Sequence, residues 1–345
     1  MATNIYTRKN LDEVSFIRPI LIILLVIVHS FTVFNGGWPA FDGFQPCETY
    51  KWISRLSYSF MLETFTFCSG YVYAFQNFEL GGGGNIKKTL IKKCQRLLFP
   101  SIIFSILYAQ LINDKNLFNV SQMGLSAISI LSGIGHLWYL PVLFWCFVCI
   151  YFVNKIKYKE NFILAMLFLL AILPLPYLPF QLYRLPYYLF YFFLGQIFWR
   201  NKDKYFSNIK TSKLTCAYLL FFIVFVTLRV VKADVTDIAD NTEFVPSKCF
   251  YLVISKTCQL TYATIGMTVI YMTGISFTTK YKLSDWYIQL GNLCFGAYIF
   301  QEFILKYLYY KSDLPLRVDI YVLPWVCFTI TLVLSLCLSK VTKEL

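Results

Sequence analysis

Charged side chains are scarce in this sequence of 345 residues, since aspartate, glutamate, lysine and arginine together make up only 14%. Apolar residues make up 58% and aromatic residues 19%, which excludes a soluble globular enzyme and is typical of a polytopic membrane protein. Acidic residues are fewer than basic ones, and the net charge is +13. Lysine and arginine in cytoplasmic loops explain this excess, so no nucleic-acid partner is predicted.

The sequence also lacks internal repeats, a signal-peptide cleavage site and a metal-binding cysteine pattern. The chain shows no internal repeat, and the first apolar run lacks the small-residue cleavage site of a signal peptide. Cys146 and Cys149 have CxxC spacing, but they lie within an apolar run without a second pair of ligands, so no metal site is predicted. Residues 1–345 are therefore expected to form a single transmembrane domain.

The apolar segments predict an all-α protein of about ten transmembrane helices, because each segment can cross, or nearly cross, a hydrocarbon core of roughly 30 Å. The segments are 16–34, 57–76, 97–113, 137–154, 162–180, 183–199, 214–232, 254–275, 288–309 and 320–338. Prolines crowd the turn between the fifth and sixth segments, so these two could form a broken or re-entrant pair. Basic residues concentrate on the side of the N-terminus, which places both termini in the cytoplasm.

The first segment contains RPILIILLVIVH, from Arg18 to His29. Eleven residues of α-helix turn the chain through about three full turns and advance it by about 16 Å, so the two side chains share one helix face. A charge and a titratable group within hydrocarbon are costly, and by default they indicate a functional site facing the protein interior. The alternative interpretation is an arginine that reaches the membrane surface and a histidine that only packs.

His29 is a candidate general base, because a neutral imidazole can accept a proton at physiological pH. Glu63 lies in the second segment at a comparable predicted depth. A hydrogen bond from the imidazole to the Glu63 carboxylate would orient the ring and stabilise its protonated form, as the acid does in a catalytic triad. Alternatively, Glu63 faces a wet outer vestibule and takes no part in catalysis.

A basic run, IKKTLIKKCQRLLFP, precedes the third segment on the predicted cytoplasmic side. Such a run could simply neutralise anionic lipid. Lys93 and Arg96 lie three residues apart at the start of the segment, and they could instead bind the phosphates of a soluble cofactor.

His136 is the other histidine of the chain, and it opens the fourth segment on the outer side. Trp138 and Tyr139 follow it and fit an ordinary aromatic belt. Gln301 and Glu302 fall in the middle of the ninth segment, where at least one should face a polar interior.

Several of these stretches resemble the membrane-bound acyltransferase-3 family, which includes bacterial O-acetyltransferases of surface polysaccharides. The arginine–x10–histidine element, KKCQRLLFP and GHLWYLPVL occur in the family's order. The same is true of FTFCSGYVYAF (Phe65 to Phe75), YYLFYFFLGQIF (Tyr187 to Phe198) and LGNLCFGAYIFQEFI (Leu290 to Ile304). The resemblance covers nearly the whole chain.

The resemblance implies transfer of an acyl group, usually acetyl, from cytoplasmic acyl-coenzyme A to a hydroxyl of a cell-surface or lipid-linked glycan. The expected location is the bacterial cytoplasmic membrane. His29 would be the base, supported by Arg18 and Glu63. Acyl-coenzyme A would be bound by Arg18, Lys93 and Arg96. The glycan acceptor would lie near His136, Trp138 and Tyr139.

Two positions depart from the family pattern. Gln301 stands where many relatives have a histidine, so it receives no catalytic role. Lys93 replaces an arginine, which keeps the charge but loses the planar two-pronged contact. The main alternative function is an exporter or flippase for polysaccharide or lipid-linked sugar, although such carriers often have repeated halves. A glycan polymerase, which would need a large outer loop, is the third possibility.

Overall fold

The computed structural model describes residues 11–41, 43–81, 86–112, 123–205 and 209–344. These ranges contain helices and no β-strand, which confirms the predicted all-α class. The α-helices are α1 (Asp12–Ser30), α2 (Glu48–Tyr58), α3 (Met61–Ala74), α4 (Ile86–Lys93), α5 (Phe99–Leu111), α6 (Met123–Ser132), α7 (Tyr139–Val153), α8 (Glu160–Ile172), α9 (Leu185–Tyr205), α10 (Thr211–Asp240), α11 (Val245–Lys280), α12 (Asp285–Tyr310), α13 (Leu314–Arg317) and α14 (Leu323–Glu344).

Within the described ranges, six helical stretches are long and apolar enough to cross a membrane by themselves. They are Asp12–Ser30, Lys87–Leu111, Gly135–Val153, Thr211–Asp240, Val245–Lys280 and Leu323–Lys343. Each of the ten apolar segments overlaps a helix, including α3, α8, α9 and α12. The protein is thus an all-α polytopic membrane protein, while the cytoplasmic position of both termini stays a prediction.

The fifth predicted segment is too long. Helix α8 ends at Ile172, and an irregular stretch with Pro174 and Pro176 follows it. Proline lacks an amide hydrogen and restrains the preceding residue to extended backbone, so the helix cannot continue. The turn into α9 contains Phe180 and Gln181 in the left-handed region, at φ 57° and 62°.

Helix α1 occupies the centre of the molecule, where it packs against α2, α3, α11, α12 and α14. Its inward face is mostly apolar, and Ile17 and Leu21 have no exposed surface. Arg18 and His29, at the two ends of this face, are partly buried. A central helix covered on several sides can hold polar groups away from lipid, which is where they cost least.

Helix α12 runs parallel to α1. The Tyr287 hydroxyl donates to the Phe16 carbonyl oxygen at one end (2.7 Å), and the Tyr309 hydroxyl donates to the Ser30 carbonyl oxygen at the other (2.6 Å). This pairing places the middle of α12 beside His29.

Helices α3 and α9 approach each other through two glycines. A Cβ atom on Gly70 would lie 1.9 Å from the Phe192 carbonyl oxygen, and one on Gly195 would lie 2.2 Å from the Phe67 carbonyl oxygen. Small residues allow backbones to approach this closely inside a membrane bundle, where dispersion and weak polar contacts hold helices together.

Candidate active site

His29 lies at the C-terminal end of α1 and contacts Gln301 of α12. Its Nδ1 atom is 2.9 Å from Gln301 Oε1 and 2.7 Å from Gln301 Nε2, so the amide holds this side of the ring. The side chain is 15% exposed. Its Nε2 atom has no hydrogen-bond partner among the described residues, which leaves one ring nitrogen available to another molecule.

Glu302 joins the two histidines. Its Oε2 atom lies 3.8 Å from His29 Nδ1 and 3.0 Å from His136 Nδ1. Its Oε1 atom accepts a hydrogen bond from the Tyr108 hydroxyl (2.6 Å). Glu302 is 4% exposed. A buried carboxylate of this kind is stable only when several polar partners surround it.

His136 is held through one ring nitrogen and through its backbone. Its Nε2 atom lies 3.0 Å from the Ile299 carbonyl oxygen, and its own carbonyl oxygen accepts from the Tyr298 hydroxyl. The His29 and His136 ring centroids are 6.2 Å apart. The two histidines of the chain therefore belong to a single site.

The segment that carries His136 depends on two glycines with positive φ. Gly133 and Gly135 have φ of 81° and 60°, values that residues with a Cβ atom rarely adopt. A Cβ atom on Gly135 would lie 2.8 Å from the Tyr108 ring. The glycines thus allow the short 3-10 helix Gly135–Trp138 to bring His136 close to Tyr108.

The predicted hydrogen bond between Glu63 and His29 is wrong. Glu63 is buried (3% exposed), and its Oε1 atom instead accepts from the Tyr187 hydroxyl of α9 (2.8 Å). The charge of Lys232 on α10 also acts on it. Glu63 lies in the first turn of α3 on the side facing α9, whereas α12 carries the carboxylate beside His29.

The three residues predicted to bind the cofactor lie near one another. The charge of Arg18 acts on both Lys93 and Arg96, although the residues belong to separate helical segments. The Lys93 ammonium lies 4.0 Å from the centroid of the Phe147 ring, and the Arg96 guanidinium lies 6.0 Å from that of the Phe295 ring. No carboxylate of the described part of the chain pairs with any of these cations. They form a cluster of uncompensated positive charge, which we call the basic cluster (Arg18, Lys93 and Arg96).

A shallow cleft of about 390 Å³ lies on α4 and on the π-helix Cys94–Leu98 that follows it. Its lining residues are Lys87, Lys88, Ile91, Lys92 and Gln95. The surface before the third predicted segment is therefore open as well as basic.

Of the three residues predicted on the acceptor side, only His136 lies within the site. The Trp138 ring stacks under the Arg184 guanidinium (4.0 Å to the ring centroid). The Tyr139 hydroxyl pairs with the Thr66 hydroxyl (2.8 Å). Trp138 and Tyr139 both pack against the Tyr188 ring instead.

Another aromatic residue, Trp38, lies beside His29. The Trp38 ring centroid lies 5.9 Å from that of His29, and the Lys306 ammonium lies 5.0 Å from the Trp38 centroid. Lys306 also lies 5.6 Å from the centroid of the Tyr108 ring. An indole and a cation thus border the site on this side.

Sequence reasoning missed the roles of Tyr108, Gln301 and Glu302. The sequence does indicate a site role for Glu302, because a carboxylate in the middle of an apolar segment must face a polar interior. It indicates one for Tyr108 more weakly, through a hydroxyl within the third apolar segment. Gln301 was set aside because of a difference from the family pattern, yet its amide is the group that contacts His29.

The fold and site define an integral membrane protein with two histidines and a glutamate enclosed by its helices. The model of the acyltransferase domain family Acyl_transf_3 matches residues 11–342, nearly the whole chain. The chain therefore belongs to this family of membrane acyltransferases, and the resemblance noted in the sequence is confirmed. Searches of curated proteins and of solved structures give no match.

Proposed function

We propose that this acyltransferase moves an acetyl or other short acyl group from cytoplasmic acyl-coenzyme A to a hydroxyl of a cell-surface or lipid-linked glycan. The proposed location is the bacterial cytoplasmic membrane. The observation that carries the proposal is His29, a partly exposed imidazole with one nitrogen held by Gln301 and the other without a partner among the described residues.

The proposed base is Nε2 of His29. When Nδ1 donates its hydrogen to Gln301 Oε1, Nε2 carries a lone pair directed away from the amide. Nε2 removes the proton of the acceptor hydroxyl while the oxygen attacks the thioester carbonyl carbon. The C–S bond then breaks, and the proton passes from His29 to the leaving sulfur. An acyl-histidine intermediate is the alternative route through the same atom.

The proposed donor site is the basic cluster. Uncompensated guanidinium and ammonium groups attract phosphates, and Arg96 can make paired hydrogen bonds to them. Arg18 and His29 lie on one face of α1 about 16 Å apart, and a slender pantetheine arm can bridge this distance. Binding the phosphates at one end would therefore deliver the thioester to the other.

The proposed acceptor side is the outer border of the site, where Trp38 and Lys306 lie beside His29. An indole ring offers the flat apolar surface on which sugar rings pack, and it supports a glycan acceptor. Of the predicted acceptor-side residues His136, Trp138 and Tyr139, only His136 also lies beside His29.

The test uses membrane vesicles with labelled acetyl-coenzyme A and a glycan extract as acceptor. His29→Ala should lower acyl transfer by about 10²- to 10⁴-fold, the usual contribution of a general base. Ile23→Ala is the matched control, because Ile23 lies on the same helix and is 41% exposed. The melting temperature of each variant in detergent checks its folding.

Full activity of His29→Ala would refute the base assignment. If the wild-type vesicles transfer no acyl group but lipid-linked sugar still crosses the membrane, the protein is a carrier and the proposed reaction is wrong.

A further inference from the structure

Lys306 extends from α12 to the border of the histidine site. Its ammonium lies 5.0 Å from the centroid of the Trp38 ring and 5.6 Å from that of the Tyr108 ring, within the range of a cation–π contact. Both rings belong to the site. The Trp38 centroid is 5.9 Å from that of His29, and the Tyr108 centroid is 6.4 Å from that of His136. Two aromatic rings of the site therefore hold the ammonium at its border.

The ammonium has donors that the protein does not use. In the part of the chain that the structure describes, no oxygen accepts a hydrogen bond from Lys306 and no carboxylate pairs with it. Glu302 lies one helical turn before it on α12, but that carboxylate faces Tyr108 and His136. An ammonium has three hydrogen-bond donors, so Lys306 presents both positive charge and available donors beside the site.

The Trp38 indole is fixed to the same helix as Lys306. The Tyr310 hydroxyl donates to the Pro39 carbonyl oxygen (2.7 Å), and the Trp38 centroid lies 6.4 Å from those of Tyr309 and Tyr310. The side chains of Trp38 and Lys306 are both partly exposed. Indole and ammonium are thus accessible and held at a set separation, which lowers the cost of ordering them around a ligand.

This pair of groups has two different preferences. An indole ring packs against neutral and acidic sugar rings alike. The ammonium distinguishes them, because a charge-assisted hydrogen bond to a carboxylate is about twice as strong as one to a neutral oxygen. A sugar that packs against Trp38 also lies next to His29, since the two ring centroids are 5.9 Å apart.

We propose that Trp38 and Lys306 form a subsite for an acidic sugar, so that the acceptor glycan carries a carboxylate, as a uronic acid does. The sugar ring packs against the indole, and its carboxylate accepts hydrogen bonds from the ammonium. The proposal rests on the proposed function in taking the acceptor to be a glycan, and it names the chemical class of that glycan.

The experiment measures binding, so that it requires no acyl transfer. Full-length protein in lipid nanodiscs is titrated with the fluorescently labelled glycan extract of the transfer assay. The same extract is also used after its carboxyl groups have been reduced to primary alcohols, which removes the charge and keeps the sugar backbone. We expect the wild type to bind the untreated glycan about 10-fold more tightly than the reduced one.

Three variants identify the group responsible. Lys306→Met removes the charge and keeps an apolar stem against the rings, so it should bind both glycans equally. Lys306→Arg keeps the charge and should retain the preference for the untreated glycan. Lys311→Met is the matched control, because it removes an exposed positive charge at the same end of α12 and should change neither affinity. The melting temperature of each variant in detergent checks its folding.

Equal binding of the two glycans by the wild type would overturn the proposal, and this result is available even where Lys306→Met fails to fold. An unchanged preference in Lys306→Met would overturn it as well. The proposed reaction fails separately. A preference that disappears in Lys306→Met, in a protein whose vesicles transfer no acyl group, would reject the reaction and keep the subsite. Transfer to the reduced glycan at the full rate would reject the subsite and keep the reaction.

Discussion

Gly70→Ala should strongly destabilise the protein, because the new methyl group has no space at the crossing of α3 and α9. Its Cβ atom would lie 1.9 Å from the Phe192 carbonyl oxygen and 2.7 Å from the attached carbon. Ordinary contacts of a Cβ atom begin at 3.4 Å. The obstructing atoms are backbone, so no side chain can rotate away, and the helices must separate by about 1.5 Å.

The cost of this separation is large. A gap of about 0.5–1 Å already forfeits a quarter to a half of the attraction between contacting atoms. Overpacking typically costs about 1–3 kcal/mol, and occasionally more. Because both sides of the contact are helix backbone, we expect the free energy of unfolding to fall by an amount at the upper end of this range, about 3 kcal/mol.

The assay is reversible unfolding in mixed detergent micelles, followed by tryptophan fluorescence. Gly291→Ala is the matched control, because its nearest atom is the Ser15 carbonyl oxygen at 3.6 Å, an ordinary contact. Gly291 lies inside α12, so alanine there should stabilise the helix by up to about 1 kcal/mol. Equal free energies of unfolding for Gly70→Ala and the wild type would refute the steric reasoning.

Two further predictions concern the site. Arg96→Ala should raise the KM for acyl-coenzyme A by about 10- to 100-fold with a smaller change in kcat, because a lost charged hydrogen bond is worth about 1.5–3 kcal/mol. The control is Lys280→Ala, which removes an exposed cation elsewhere and should leave KM unchanged in the same vesicle assay. Tyr108→Phe should lower the free energy of unfolding by about 2 kcal/mol, because it removes the 2.6 Å hydrogen bond to the Glu302 carboxylate. Tyr177→Phe is its control, as Tyr177 is 69% exposed; similar unfolding of the two tyrosine variants would contradict the assignment.

Much of the fold could be predicted because the relevant signals are local. Runs of apolar residues require helices wherever the backbone must satisfy its own hydrogen bonds in hydrocarbon. Each predicted segment overlaps a helix for this reason. The shared face of Arg18 and His29 follows from the helical repeat alone. The end of α8 was misplaced because apolar residues continue past Ile172 through a proline-rich turn.

The partner of His29 could not be predicted from depth in the membrane. Glu63 and Glu302 are both carboxylates within apolar segments, and nothing in the order of residues tells which helix lies beside α1. The parallel packing of α1 and α12 decides in favour of Glu302, whereas α3 presents Glu63 to Tyr187. Proximity of side chains 273 positions apart, as for His29 and Glu302, is a property of packing.

By itself, the sequence determined that the chain is an all-α membrane protein of the acyltransferase family, with an imidazole and a guanidinium on one face of its first helix. Only the tertiary structure decided that His29, His136 and Glu302 meet, and that Gly70 and Gly195 join two helices. The physical reason is that hydropathy and helical periodicity act over a few residues. Which polar groups compensate one another depends on the neighbours that helix packing supplies.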